Sequence, residues 1–144
     1  MTKLSKGETV DDAAATTTLR VRNAHAARLD LLEAHGQIDP AARHATEEFV
    51  GSLAARFHIV PESEGAAMFV THVAIAFTRL RRGEPAPSVP DVLAEELSSK
   101  IEEAEAVEAT ARQMESDIGG RLPAAELVYI TAHVCTLRND ADVS

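Results

Sequence analysis

Two histidines stand where a polar ring is hard to place. His72 lies inside Phe69-Val70-Thr71-His72-Val73-Ala74-Ile75-Ala76-Phe77-Thr78-Arg79-Leu80-Arg81-Arg82-Gly83, a stretch that is apolar for most of its length, ends in a basic cluster and stops at a glycine. His133 lies in a second apolar stretch, one helical turn from Ile130 and from Leu137. An imidazole inside a buried helix needs a hydrogen-bond partner or a chemical task. A neutral ring is a natural acceptor of a phosphoryl group from another phosphohistidine, because its nitrogen attacks without a strong base. The product carries about 1.5 to 2 additional negative charges. Beside an acidic surface or across a dimer interface that charge is a switch. The competing reading is a pair of satisfied, semi-buried core histidines.

Other chemistry is poorly represented. There is no His-Glu-x-x-His and no cysteine pair for zinc. Gly119-Gly120 lacks the preceding strand and the Lys-Ser/Thr of a phosphate-binding loop. Cys135 is two residues from His133, so the two point to different faces of one helix, and Cys135 reads as a small core residue. His25, His35, His44 and His58 fall in termini, turns or first helical turns and are expected to face solvent. No metal, no cofactor and no enzymatic activity are expected.

Composition agrees with a helical domain. The 144 residues suit one domain with a sizeable core. Apolar residues make up 45% but aromatics only 3%, with no Trp; Ala, Leu, Val and Glu fill the gap and favour helices over sheets. The net charge of −9 repels phosphate backbones, and the basic clusters Arg20/Arg22 and Arg79/Arg81/Arg82 are short, so direct nucleic-acid binding is not expected. The single cysteine allows no intrachain disulfide and fits a reducing compartment. No run approaches the length of a membrane span, and the first residues carry no apolar signal core. The expectation is a cytoplasmic protein without membrane association.

The elements that position the histidines follow from spacing and caps. Residues 1–16 are polar and Ala/Thr-rich and are expected to form a disordered tail. Residues 17–38 form an N-terminal extension in which Ala26, Leu29 and Leu32 share one side of a short helix, ended by His35-Gly36. Asp39-Pro40 starts a helix over about 40–57, striped by Phe49, Leu53 and Phe57. The next, about 62–82, carries Phe69, Val73, Phe77 and Leu80 as its main stripe. His72 and Arg79 lie in a second row, on the shoulder of the buried face, and Gly83 ends the helix. Ser88 and Asp91 read as a capping box with Pro90 in the first turn. Helical spacing then continues from Leu93 to Ile118, with Ser98-Ser99 a plausible break. Residues 90–117 hold nine acidic and two basic residues, the pattern of a solvated helix face. Gly119-Gly120 ends this segment. Pro123 opens a last helix from Ala124 to about Arg138, followed by a polar tail over 139–144.

Two segments resemble the signatures of a known family. Thr71 to Gly83 is similar to the first signature of the PTS regulation domain (PRD) of the phosphotransferase system: a histidine, apolar residues, Ala76 four on, Arg79 seven on, and a basic run ending in Gly83. Leu122 to Val134 is similar to the second, in which Pro123 is followed by Glu126, then Tyr129-Ile130, then His133 ten residues after the proline. The resemblance covers about residues 40–138. It implies an all-α, compact five-helix bundle of antiparallel helix pairs over 39–138, with an extra short N-terminal segment, that often forms homodimers. In antiterminators and transcriptional activators of this family, histidines matching His72 and His133 receive phosphoryl groups. The donor is the phosphocarrier HPr or a sugar-transporter component. Arg79, Glu126 and Tyr129 would support them. Thr71 stands where the family often has Asp, and Val128 where a small residue is common.

The resemblance thus implies a single stand-alone PRD, phosphorylated at His72, His133 or both. It would modulate transcription or carbohydrate uptake and metabolism through dimerisation or a protein partner. The alternative is a non-phosphorylated helical interaction or scaffold domain with two buried histidines.

Overall fold

With few aromatic rings and many alanines, this chain fills its core by bringing helices close together rather than by inserting large side chains. The computed structural model describes residues 10–143, and among them are seven helices and no strand. They are α1 (Val10–Ala34), α2 (Pro40–Phe57), α3 (Glu64–Arg81), α4 (Asp91–Leu97), α5 (Ile101–Gln113), α6 (Glu115–Ile118) and α7 (Ala124–Val143). None of the described helices is long and apolar enough to cross a membrane.

The helix that carries His72 is the central one. α3 packs between α2 and α7 and buries Phe69, Val70, Val73, Ala74 and Phe77. Phe77 meets Phe49 of α2 edge to face, with centroids 5.2 Å apart. Val107, Ile118, Ile130 and Val134 close the core from α5, α6 and α7.

Local signals fix the ends of these helices. The Asp39 side chain accepts from the Ala42 amide at 2.7 Å, and Pro40 occupies the start of α2. Ser63 caps α3 by accepting from the Ala66 amide at 3.1 Å. Gly83, at φ 70°, ends α3 in a Schellman motif: its amide donates to Leu80 and the Glu84 amide donates to Arg79. Gly36, at φ 72°, closes α1 in the same way, through Glu33 and Leu32.

Several sequence expectations are corrected. The described residues form seven helices, six of them from Pro40 on, where the family resemblance suggested five over 39–138. Residues 10–16 belong to α1, not to a disordered tail; residues 1–9 of that tail lie outside the described residues. The short helix expected within 17–38 is part of this 25-residue element. Val21, His25 and Leu29 recur at i, i+4 and i+8, and all three are buried where α1 lies antiparallel on α2. Arg22 bonds Glu47 and Arg43 bonds Asp30 across the same seam.

The segment 91–118 is three helices, not one. α4 buries no residue, so nothing rewards its continuation, and Ser98 Oγ bonds the Glu95 carbonyl where the break begins. The Ser88–Asp91 capping box does not form; Pro90 stands at the cap position and no side chain caps α4. A second interruption falls at Met114. The last helix runs on through 139–143, beyond Arg138, where a polar tail was expected; Ser144 lies outside the described residues.

α1 lies close against α2 at Gly51. A Cβ there would come within 2.1 Å of Thr18 Oγ1 and 2.7 Å of Thr18 Cα, so backbone as well as side chain would have to move. Gly51→Ala is therefore expected to destabilise the fold by about 1–3 kcal/mol, the usual cost of overpacking. A lower urea midpoint at an unchanged slope would show it; a midpoint equal to wild type would mean that α1 does not pack here.

Candidate functional site

His72 and Arg79 are seven residues apart on α3, and Glu126 and His133 are seven apart on α7. Seven residues are close to two helical turns, so each pair lies on one face of its helix, about 10.5 Å apart along the axis. The helices run antiparallel. His72 therefore meets His133, and Arg79 meets Glu126. The imidazole centroids are 5.0 Å apart, with the rings inclined at 44°. Arg79 Nε donates to Glu126 Oε2 at 3.1 Å. Glu126 is buried, with 2% of its surface exposed, in the first turn of α7, where the amide dipoles favour a carboxylate.

Each histidine has an aromatic neighbour of its own. Phe69, one turn before His72 on α3, stacks on His133 with centroids 5.6 Å apart and planes at 29°. Tyr129, one turn before His133 on α7, lies 6.0 Å from His72. The four rings form a run: Phe69, His133, His72, Tyr129. The Tyr129 hydroxyl donates to the Ser88 carbonyl at 2.7 Å, tying the connection between α3 and α4 to the site. Thr71 Oγ1 bonds back to the Ala67 carbonyl of its own helix, so the hydroxyl is engaged within α3.

The environment disfavours the protonated form of both imidazoles. Both side chains are half-buried. Burial pulls the His72 pKa below its ordinary 6.5, and the Arg79 cation adds to the effect. Burial does the same at His133, reinforced by His72 itself. His72 Nε2 is sealed from solvent without a hydrogen-bond partner, and so is Glu126 Oε1. An unprotonated imidazole nitrogen retains its lone pair and is a nucleophile, so this is the protonation state that phosphoryl acceptance requires.

The structure thus brings together all five residues singled out in the sequence. What sequence reasoning missed was Phe69 as a ring partner; its position one turn before His72 was the available signal. The other histidines divide. His35, His44 and His58 are exposed, and His44 Nε2 lies 2.9 Å from Glu48 Oε1. His25, expected at the surface, is 5% exposed, and its Nε2 donates to the Pro61 carbonyl at 2.7 Å. A partner 36 residues away in the chain makes that burial tolerable. Cys135 is buried, and burial raises its thiol pKa. Two shallow grooves of about 200 and 180 Å³ lie along α5 and α7, and neither is lined by a histidine. Among the described residues, no three His, Cys, Asp or Glu side chains gather as a metal ion would need.

Two outcomes follow. Because folding lowers the proton affinity of His72 and His133, the unfolded chain binds more protons as pH falls below 6.5. Their contribution to stability is therefore full above that pH and is lost on acidification toward their folded pKa values. Thermal unfolding in that window should show a smaller loss for the His72→Gln/His133→Gln variant than for wild type; equal losses would place the proton uptake elsewhere. Glu126→Ala leaves the Arg79 guanidinium half-buried and unpaired. The expected loss is roughly 3 kcal/mol in chemical denaturation, and a loss no larger than a typical surface substitution would show the pair to be unimportant.

Comparison with known proteins agrees with this arrangement. The PRD domain family matches the chain over residues 41–136, a span that contains both histidines, Arg79, Glu126 and Tyr129. Searches of curated proteins and of solved structures gave no match. With two thirds of its length matched and both signatures meeting face to face, the chain belongs to the PRD domain family.

Proposed function

We propose that this protein is a regulatory module linked to the phosphotransferase system, in which His72 and His133 accept phosphoryl groups. The observation that carries the reading is the pair of half-buried imidazoles, 5.0 Å apart on facing helices within a PRD domain. In the transfer, the P–N bond of the donor phosphohistidine breaks as a P–N bond to His72 or His133 forms. The acceptor's ring proton passes to the donor ring. The added charge, about −1.5 to −2, develops between α3 and α7 and changes their packing. Arg79, tied to Glu126, holds the two helices in register while this happens. The donor in this reading is HPr or a sugar-transporter component. The output, on transcription or on carbohydrate uptake and metabolism, passes through homodimerisation or a protein partner in the cytoplasm.

A second reading has one specific support. His72 Nε2 is sealed without a partner, as in a histidine retained for packing. In that case the protein is a helical interaction domain that is never phosphorylated. Incubation with phosphoenolpyruvate and the reconstituted phosphocarrier chain separates the two readings. Acid-labile phosphate on the wild-type chain, lost in His72→Gln/His133→Gln, is the expected result. An unlabelled wild-type chain would leave the interaction domain as the better reading.

A further inference from the structure

We propose that His72 and His133 form a single phosphoryl site: either ring can carry the group, and one phosphorylated ring excludes phosphorylation of the other. This inference rests on the phosphoacceptor reading and adds a capacity of one group per pair.

Three features of the pair lead to it. The first is distance. With centroids 5.0 Å apart the two imidazoles are already in ring contact, and a phosphoryl group on either one must lie against the other. The second is confinement. Phe69 stacks on His133, and Tyr129 stands beside His72 at 6.0 Å, so each ring has an aromatic neighbour in addition to its partner imidazole. Both helices are committed elsewhere, α3 to α2 and α7 to α5, so the rings cannot simply separate. The third is charge. Repulsion scales with the product of the charges, so two phosphoryl groups, each about −1.5 to −2, repel several times more strongly than two unit charges at the same separation. The cation whose charge reaches His72, Arg79, is already paired with Glu126. A single phosphoryl group meets the opposite situation. The unmodified imidazole beside it can turn an N–H toward a phosphoryl oxygen, or take up a proton and become a counter-charge. The first modification thereby consumes the partner that would receive the second.

Potassium phosphoramidate, a small donor that needs no carrier protein, tests this on the full chain. In each transfer its P–N bond breaks, a P–N bond to the ring forms, and ammonium leaves with the ring proton. The exposed histidines are first removed as His35→Gln, His44→Gln and His58→Asn, and His72→Gln/His133→Gln on that background reports any labelling of His25. Intact mass at saturating donor should show one phosphate on the pair, and peptide mapping should find it on His72 in some molecules and on His133 in others. His72→Gln and His133→Gln should each still accept one, with helical content confirmed by circular dichroism. Two phosphates on one chain would overturn the exclusion and leave the phosphoacceptor reading standing. A map with phosphate on only one of the two residues would also overturn the shared site. A pair that takes none would remove the phosphoacceptor reading, and the inference with it.

Discussion

One ion pair joins α3 and α7 and fits a single register between them. Arg79, its side chain 24% exposed, meets Glu126, whose carboxylate is almost fully buried and has little water to turn to as a substitute partner. A slip of one residue along either helix would rotate one member out of reach and leave the other uncompensated. Apolar side chains along the same seam tolerate small displacements; a planar guanidinium on a carboxylate does not. Two turns away, that constraint arrives at His72 and His133 as ring contact. The ion pair and the ring pair thus lie at opposite ends of one seam.

Much of this arrangement was legible in the sequence because its signals are local. Asp39-Pro40, Gly36 and Gly83 each act within a turn of themselves, and the helices they bound begin or end where expected. The Phe49, Leu53 and Phe57 stripe is likewise read from spacing alone. What spacing could not give was the hand-off between helices. His25 looked like a surface residue because its partner, the Pro61 carbonyl, belongs to a different connection. α1 looked weak because its buried stripe includes that histidine, with Ala and Thr around it. The opposite failure occurred over 91–118, where helical periodicity is continuous but the first turns bury no side chain fully. Periodicity says which face a helix would offer, not whether a neighbour accepts it.

Stability is unevenly distributed as a result. Val21 and Leu29 of α1 join the same core cluster as Phe49 and Phe77, although α1 lies before the segment that matches the family. The physical unit is thus larger than the recognisable one. α4, in contrast, buries none of its residues and follows a connection held by the Tyr129–Ser88 bond. Such a segment opens at lower free energy than the core it leads from. Arg138 works in the other direction at the far end of α7. It bonds both Glu102 and Glu103 of α5 and lies 4.9 Å above the Phe57 ring, joining three helices through one side chain. Part of the acidic face of α5 is thereby engaged rather than merely solvated.

The position of Tyr129 has an optical consequence. The chain has one tyrosine and no tryptophan, so its intrinsic fluorescence comes from a single ring. That ring stands 6.0 Å from His72, at the end of the aromatic run, with its hydroxyl bonded to the Ser88 carbonyl. Excited tyrosine is sensitive to a charge or a new hydrogen-bond acceptor at this range. The molecule therefore carries an unengineered optical reporter beside His72, sensitive to changes around that ring without a label.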